Sequence, residues 1–148
     1  MRVVMQRVLQ ARVETGGETA GKIGKGLVIL CGFERGDGQR EIEFMAEKIL
    51  HLRIFADDMQ KMNLSVKDVK GEILSISQFT LTADIQRGRR PDFANAEEPE
   101  KAQPLYRLFN DLLAREVPVE KGVFGARMTV HLVNDGPVTF YLEKKFSS

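Results

Sequence analysis

The sequence predicts an α+β fold: one domain spanning residues 1–148, with a largely antiparallel β-sheet and two main helices. Three observations carry this expectation. Short apolar runs with a two-residue period recur along the chain, two longer segments carry helical stripes, and the two kinds do not alternate as βαβ units would. At 148 residues the chain is one domain by length and large enough for a real hydrophobic core. No internal repeat, low-complexity tract or linker divides it.

The first segment, Met1 to Thr15, alternates. Val3, Met5, Leu9, Ala11 and Val13 share one parity, and Arg7 falls in the same register. An arginine directed at a core has to be paired, because an uncompensated buried charge is strongly destabilising. Arg7 therefore marks either an edge or bulge of the strand, or a side chain whose forked donors clamp backbone carbonyls. Gly16-Gly17 turns the chain into a short strand, Glu18 to Ile23, and Gly24-Lys25-Gly26 turns it again. Leu27 to Phe33 is apolar on both parities, the pattern of a central strand buried on both faces. A helix is expected over Gln39 to Leu52, with Ile42, Met45, Ala46, Ile49 and Leu50 as its stripe and Asp37 as a candidate cap. His51 at its end reads as a surface residue. Leu52 to Phe55 reads as a strand and Lys61 to Ser65 as a loop.

Glu72 to Leu81 reads as a strand that begins in the core and ends polar, with Ser77, Gln78 and Thr80 crowded at its C-terminal end. Such crowding marks either a site or an ordinary strand end. Arg87-Gly88-Arg89-Arg90-Pro91 follows as a compact basic loop with Phe93 close by. That composition suits phosphate contacts, and suits a solvated charge run as well. Glu97 to Glu116 is mostly helical, with Leu105, Leu108, Phe109, Leu112 and Leu113 on one face. Pro104 predicts that the regular helix begins near it or kinks there. Near the C-terminus, alternating runs flank Asn134-Asp135-Gly136-Pro137, and two such runs joined by these residue types predict a β-hairpin. Its proline has no backbone N–H, so a Gly-Pro bend there would push bare backbone groups outward.

Composition excludes several chemistries. Net charge is +1, which is no global footprint for nucleic acid, so any polyanion must be met by a local patch. Cys31 is the single cysteine, which rules out a disulfide framework and a zinc cluster and predicts a buried, inert thiol. No apolar run approaches a membrane span and the first residues lack a signal-peptide pattern, which together predict a cytoplasmic protein. With two histidines, no His-x-x-x-His spacing, no Gly-x-Ser-x-Gly elbow, no Walker loop and no dinucleotide fingerprint, a conventional triad is not expected. An enzyme with this inventory needs a reactive substrate, or one that brings its own catalytic group. An ester on a ribose hydroxyl meets both conditions, and positioning plus backbone N–H donors could then suffice.

Ser77-Gln78-Phe79-Thr80-Leu81, taken with Asn134-Asp135-Gly136-Pro137-Val138-Thr139, resembles the paired signature of the D-aminoacyl-tRNA deacylases. The opening Met1 to Val8, Arg53-Ile54-Phe55, Lys61 to Ser65, Gly88-Arg89-Arg90-Pro91 and Phe124-Gly125-Ala126 resemble that family too, in order along essentially the whole chain. The resemblance implies the deacylase-family fold, with the sheet forming a barrel-like core. It implies hydrolysis of the ester between a D-amino acid and tRNA, glycine mischarged on tRNA as a further substrate, and L-aminoacyl-tRNA spared. It also implies a homodimer with sites at the subunit interface, tRNA as partner, and neither metal, cofactor nor membrane.

Residue by residue, Gly136-Pro137 would match the family's Gly-cis-Pro element, inserted into the partner's site to reject L side chains sterically. Ser77, Gln78, Phe79 and Thr80 would line the opposing pocket, with the Phe79 N–H as oxyanion donor and the Thr80 hydroxyl near the scissile carbonyl. Arg7 matches the arginine that holds the Gly-Pro loop, with Asn134 and Thr139 in support, and Arg87, Arg89 and Arg90 are candidate tRNA contacts. Thr80 has no His, Lys or carboxylate adjacent in sequence to take its proton, so a positional role is expected, with the terminal ribose 2′-OH assisting attack by water. Pro104 and Arg127 depart from the family's pattern outside its motifs. The rival readings are a non-catalytic RNA-binding module built on Arg87–Arg90 and a small-molecule esterase with Thr80 as nucleophile.

Overall fold

The computed structural model describes residues 1–146. Its elements are β1 (Arg2–Thr15), β2 (Glu18–Ile23), β3 (Gly26–Gly32), α1 (Gln39–His51), β4 (Phe55–Ala56), β5 (Met62–Leu64), β6 (Glu72–Ser77), α2 (Pro99–Ala114), β7 (Val119–Lys121) and β8 (Thr129–Glu143). The main sheet runs β2-β1-β3-β6-β7, and β8 pairs with the other edge of β1. Pairings of β1 are all antiparallel, whereas β3–β6 and β6–β7 are parallel. The α+β class and the largely antiparallel sheet are as predicted.

Sheet curvature closes the molecule into a near-barrel. β1 is long enough to change partners: Arg2–Val8 pairs with β3 and Ala11–Thr15 pairs with β2. β2 thereby folds back over β6 and β7. There a Cβ on Gly21 would lie 2.8 Å from the Lys121 carbonyl oxygen, so only glycine admits this approach. Two cores result. Met1, Val3, Met5, Leu27, Ile29 and Cys31 meet Ile42, Met45 and Ile49 of α1 and Phe109 and Leu113 of α2, while Val8, Ala11, Val13, Ile23, Val28, Leu74 and Ile76 fill the barrel interior. β3 serves both, which is why its run is apolar on both parities.

The parity of β1 is not continuous. Val8 and Gln10 pair with adjacent residues of β8, Asn134 and Val133, so Leu9 is one extra residue, a β-bulge. Beyond it the odd positions switch faces: Val3 and Met5 face the helices, Ala11 and Val13 face the barrel interior, and Leu9 itself is 55% exposed. Leu9 is therefore no core residue, contrary to the simple alternation.

The predicted C-terminal hairpin is also corrected. β8 is a single strand that stays antiparallel to β1 on both sides of Asn134–Pro137. Gln6 pairs with Thr139 and Val8 with Asn134, so residues 135–138 bulge out opposite Arg7 alone. Alternation on both sides of a Gly-Pro pair is the same for a hairpin and for one strand with an extruded loop, and pairing with β1 selects the latter.

Three smaller differences have local causes. Asp37 does not cap α1; Gly38 occupies the N-cap and its N–H reaches Glu41 Oε1 at 3.0 Å. Asp37 instead accepts the Met1 ammonium at 2.8 Å and the Glu34 N–H at 2.7 Å. The expected Leu52–Phe55 strand is reduced to β4, paired with β5 inside the segment read as a loop. α2 begins at Pro99, not near Pro104, because Pro99 at the first helical position loses no intrahelical bond. Its buried face carries Ala102, Tyr106, Phe109, Asn110 and Leu113, with Leu105, Leu108 and Leu112 only half-buried.

Pro104 is exposed inside α2, where its missing N–H leaves the Glu100 carbonyl without its usual donor. Replacing Pro104 with Ala restores that donor and gives up some rigidity of the unfolded chain, a net stabilisation of roughly 2 kcal/mol. The urea midpoint should rise; a fall would show that the ring itself supports the helix.

Candidate active site

β6 ends at Ser77, and the polar residues after it leave the strand instead of extending it to Leu81. The Gln78 N–H still donates to the Cys31 carbonyl at 2.7 Å, after which Phe79–Thr82 wind into one 3-10 turn. The Thr82 hydroxyl donates to the Phe79 carbonyl at 2.8 Å and closes that turn. A 3-10 turn leaves its first N–H groups without internal partners. Among the described residues, neither the Phe79 nor the Thr80 N–H has a hydrogen-bond acceptor. Two neighbouring free donors at a strand end can hold a developing oxyanion.

Beside them lies a cavity of about 570 Å³, lined by Ser77, Gln78 and Phe79 but not by Thr80, and walled by Phe33, Ile76, Phe93, Ala102, Phe124, Met128 and Val130. Its size and apolar lining are those of a small-molecule or nucleotide subsite. Phe79 and Phe93 stand edge to face at 5.0 Å, and Phe79 is 57% exposed. Of the lining residues only Glu97 is ionisable. Gln78 Nε2 donates to Thr80 Oγ1 at 2.7 Å, which fixes the hydroxyl without offering it a base. Sequence alone does not single out Met128 as a site residue; Phe93 is signalled only as an aromatic near a basic loop, and Phe124 only through the family-like Phe124-Gly125-Ala126 segment.

The Gly-Pro motif lies elsewhere in the same chain. Through the ladders, Arg7 aligns with Leu27 and Leu27 with Ile73 at the start of β6, whereas Val3 aligns with Cys31 and Cys31 with Ser77 at its end. The two motifs are thus offset by roughly 13 Å along the strands as well as across the sheet. A single chain does not bring them together, and neither Gly136 nor Pro137 lines the cavity.

The bulge is held from below. Arg7 is the clamp, not an edge residue: Nε donates to the Asp135 carbonyl at 3.1 Å and stands 3.3 Å from Asp135 Oδ2, while Nη1 donates to the Ile54 carbonyl at 2.7 Å. Asn134 Nδ2 donates to the carbonyls of Arg7 at 2.9 Å and Val138 at 3.0 Å, bridging the two feet of the loop. Gln6 Nε2 reaches Thr139 Oγ1 at 3.0 Å. Gly136 and Pro137 stand exposed at the top, joined by a cis peptide bond. Gly136 has φ of 153°, and a Cβ there would run into the Val138 backbone nitrogen, so no larger residue fits.

The remaining candidates are placed as follows. Arg87, Arg89 and Arg90 sit exposed on a loop closed by paired backbone hydrogen bonds between Asp84 and Asp92 at 2.8 and 2.9 Å. Cys31 is fully buried, and burial pushes its thiol up to about 12, so it is no thiolate at neutral pH. Among the described residues no three His, Cys, Asp or Glu side chains cluster as a metal site, and no helix is long and apolar enough to cross a membrane.

A family model described as D-Tyr-tRNA(Tyr) deacylase matches residues 4–143. The chain belongs to this family. It is 55% identical over 146 residues to the D-aminoacyl-tRNA deacylase of Halalkalibacterium halodurans, covering 98% of this chain and 100% of that relative. Identity to the D-aminoacyl-tRNA deacylase of Geobacter sulfurreducens is 51% over 149 residues, covering 100% of this chain and 98% of the relative. The solved structure of a protein described as a c-Myc DNA unwinding element binding protein superposes with a TM-score of 0.94 at 43% identity, covering 99% of this chain and 100% of that one.

Arg7 carries the loop's attachment. In Arg7→Lys a single ammonium cannot serve the Ile54 and Asp135 acceptors in the same fork, so the unfolding free energy should fall by about 1–3 kcal/mol in urea titration. An unchanged midpoint would mean that the strand pairing alone holds the bulge.

Proposed function

We propose that this protein hydrolyses the ester linking a D-amino acid, or mischarged glycine, to the 3′ end of tRNA, and spares L-aminoacyl esters. Family membership over residues 4–143 carries this reading. The free N–H pair at Phe79 and Thr80 beside an aromatic-walled cavity agrees with it. The terminal nucleoside would occupy that cavity, with the ester carbonyl oxygen directed at the two N–H groups. Water attacks the carbonyl carbon, the oxyanion gathers at the N–H pair, and the C–O bond to the ribose breaks. The vicinal 2′-OH assists the proton transfer, and Thr80 positions without acting as nucleophile. Arg87, Arg89 and Arg90, exposed near Phe93, would contact tRNA phosphates.

The reading includes a homodimer. Gly136 and Pro137 are presented outward on a clamped bulge, remote from their own chain's cavity, as a loop meant for a partner's site would be. Their backbone carbonyls would occupy the space that an L side chain needs, a rejection by sterics.

The decisive comparison is hydrolysis of D- and L-tyrosyl-tRNA by the purified protein, with loss of the D-ester alone expected. Gln78, with φ −140° and ψ 82°, lies outside the α region that a following proline disfavours, so Phe79→Pro deletes one N–H at tolerable backbone cost. It should lower kcat by about 10²–10³ relative to Phe79→Ala, the value of one oxyanion donor. Thr80→Ala should lose activity only in part, and a terminal 2′-deoxyribose should be far worse; total loss in Thr80→Ala would make Thr80 the nucleophile.

Dimeric sites have their own test. Mixed dimers of Phe79→Pro and Gly136→Ala protomers should recover D-specific hydrolysis that neither variant has alone. No recovery on mixing would remove the reading of a site shared between protomers. Similarity to a DNA unwinding element binding protein lends some footing to a purely binding role, and turnover of the D-ester decides between the two.

A further inference from the structure

A second basic surface lies on α1 and the chain after β8, apart from the Arg87–Arg90 loop. Arg40, Phe44, Lys48 and His51 follow one another at helical spacing and so share one face of α1. Phe146 meets Phe44 edge to face at 6.2 Å. Three cations stand over these two rings: the Arg40 guanidinium 4.2 Å from the Phe146 centroid, Lys144 Nζ 4.6 Å from Phe44 and 4.7 Å from Phe146, and Lys48 Nζ 5.5 Å from Phe44. A shallow depression of about 350 Å³, lined by Glu47 as well, continues the patch past Lys48 to His51 and Arg53.

Fastening the C-terminal segment does not account for this. That work is done elsewhere: the Phe146 N–H donates to Glu41 Oε2 at 3.0 Å, and Lys145 Nζ bonds the Arg35 carbonyl and Asp37. Arg40, Lys48 and Lys144 form no ion pair among the described residues. Two carboxylates share the face and keep their charge, Glu47 beside His51 at 3.2 Å and Glu43 bonded to the neutral Gln39 amide at 2.7 Å. Arg40, Lys48 and Lys144 outnumber these two carboxylates, and the three cations, gathered over the rings, are the groups a polyanion would meet on this face. Aromatic faces among the cations add stacking surface of the kind nucleic acids use. The patch also begins near the cavity. Phe33 and Ala96 line that cavity, Glu34 bridges to Ala96, and the loop from Glu34 leads directly into the first turn of α1.

We propose that the surface formed by Arg40, Phe44, Lys48, Lys144 and Phe146 binds the sugar-phosphate backbone of tRNA adjoining its 3′ end. This rests on the deacylase reading for the identity of the RNA. α1 runs about 20 Å from the cavity end of the sheet, enough to track several nucleotides and hold the tRNA body while the ester is cleaved.

The test measures binding of uncharged tRNA by the full chain across about 50–200 mM salt, for wild type and for the triple variant Arg40→Gln, Lys48→Gln, Lys144→Gln. Hydrolysis of D-tyrosyl-tRNA and of the short ester D-tyrosyl-adenosine is measured beside it. Expected are tRNA binding weaker by about tenfold or more, a log–log salt slope shallower by about 2, and a loss of kcat/KM at least about fivefold larger on the tRNA ester than on the short one. Lys48→Gln alone, at an exposed side chain, should flatten the slope by about 0.7–0.9 and guards against a folding defect in the triple variant. Unchanged tRNA affinity and slope, or equal losses on the two esters, would overturn the proposal. Wild type that binds tRNA with the expected slope yet cleaves neither ester would remove the deacylase reading and leave this surface standing on binding alone.

Discussion

The constraint on which the rest of the molecule depends is that β8 must stay paired to β1 while releasing a loop from its middle. β1 is the axis of the sheet, and its pairing with β8 flanks the bulge on both sides. Extruding residues 135–138 opposite one residue of β1 breaks the ladder and leaves polar backbone groups without strand partners. Arg7 and Asn134 take over those groups, Arg7 through the Asp135 carbonyl while its Nη1 is anchored on the Ile54 carbonyl, and Asn134 through the Arg7 and Val138 carbonyls. An arginine in the register of a core strand is thereby explained: its charge is compensated by Asp135 and its fork is filled by carbonyls.

At the other end of the sheet the same economy appears in reverse. There the backbone is left unsatisfied, since the 3-10 turn after β6 exposes two N–H groups that no residue of the described chain accepts. A site of this kind needs no base, thiolate or metal from the protein, provided that the substrate carries a reactive ester and its own neighbouring hydroxyl. The side chains around it agree: Gln78 orients Thr80, aromatic rings wall the cavity, and the buried thiol of Cys31 is chemically silent. Rigid placement by β3 and β6, both central and buried, supplies what the inventory of reactive groups lacks.

Charge is unevenly distributed. The chain is near-neutral, yet among the described residues two faces carry cations outside any ion pair, the Arg87–Arg90 loop and the ring-supported set on α1 and the chain after β8. The first presents its cations on long exposed side chains of a loop. The second holds its cations over the rings of Phe44 and Phe146.

By itself the sequence determined the class of fold, the buried central strand Leu27–Phe33, the inert Cys31 and the two signature segments, because these depend on local pattern and on residue chemistry. Period-2 alternation is a local property, and so is the lack of a nucleophile–base pair. Tertiary structure alone decided that β8 is one strand and not a hairpin, since an extruded loop and a turn leave identical alternation on either side. It decided that Leu9 is a bulge, because the parity shift exists only relative to the register of β8. It decided that Arg7 both stands opposite a bulge and clamps backbone carbonyls, its acceptors Ile54 and Asp135 lying 47 and 128 residues away in sequence. The separation of Ser77–Thr80 from Gly136-Pro137 was likewise invisible, because distance across a sheet is set by strand order and register, which no stretch of sequence encodes alone.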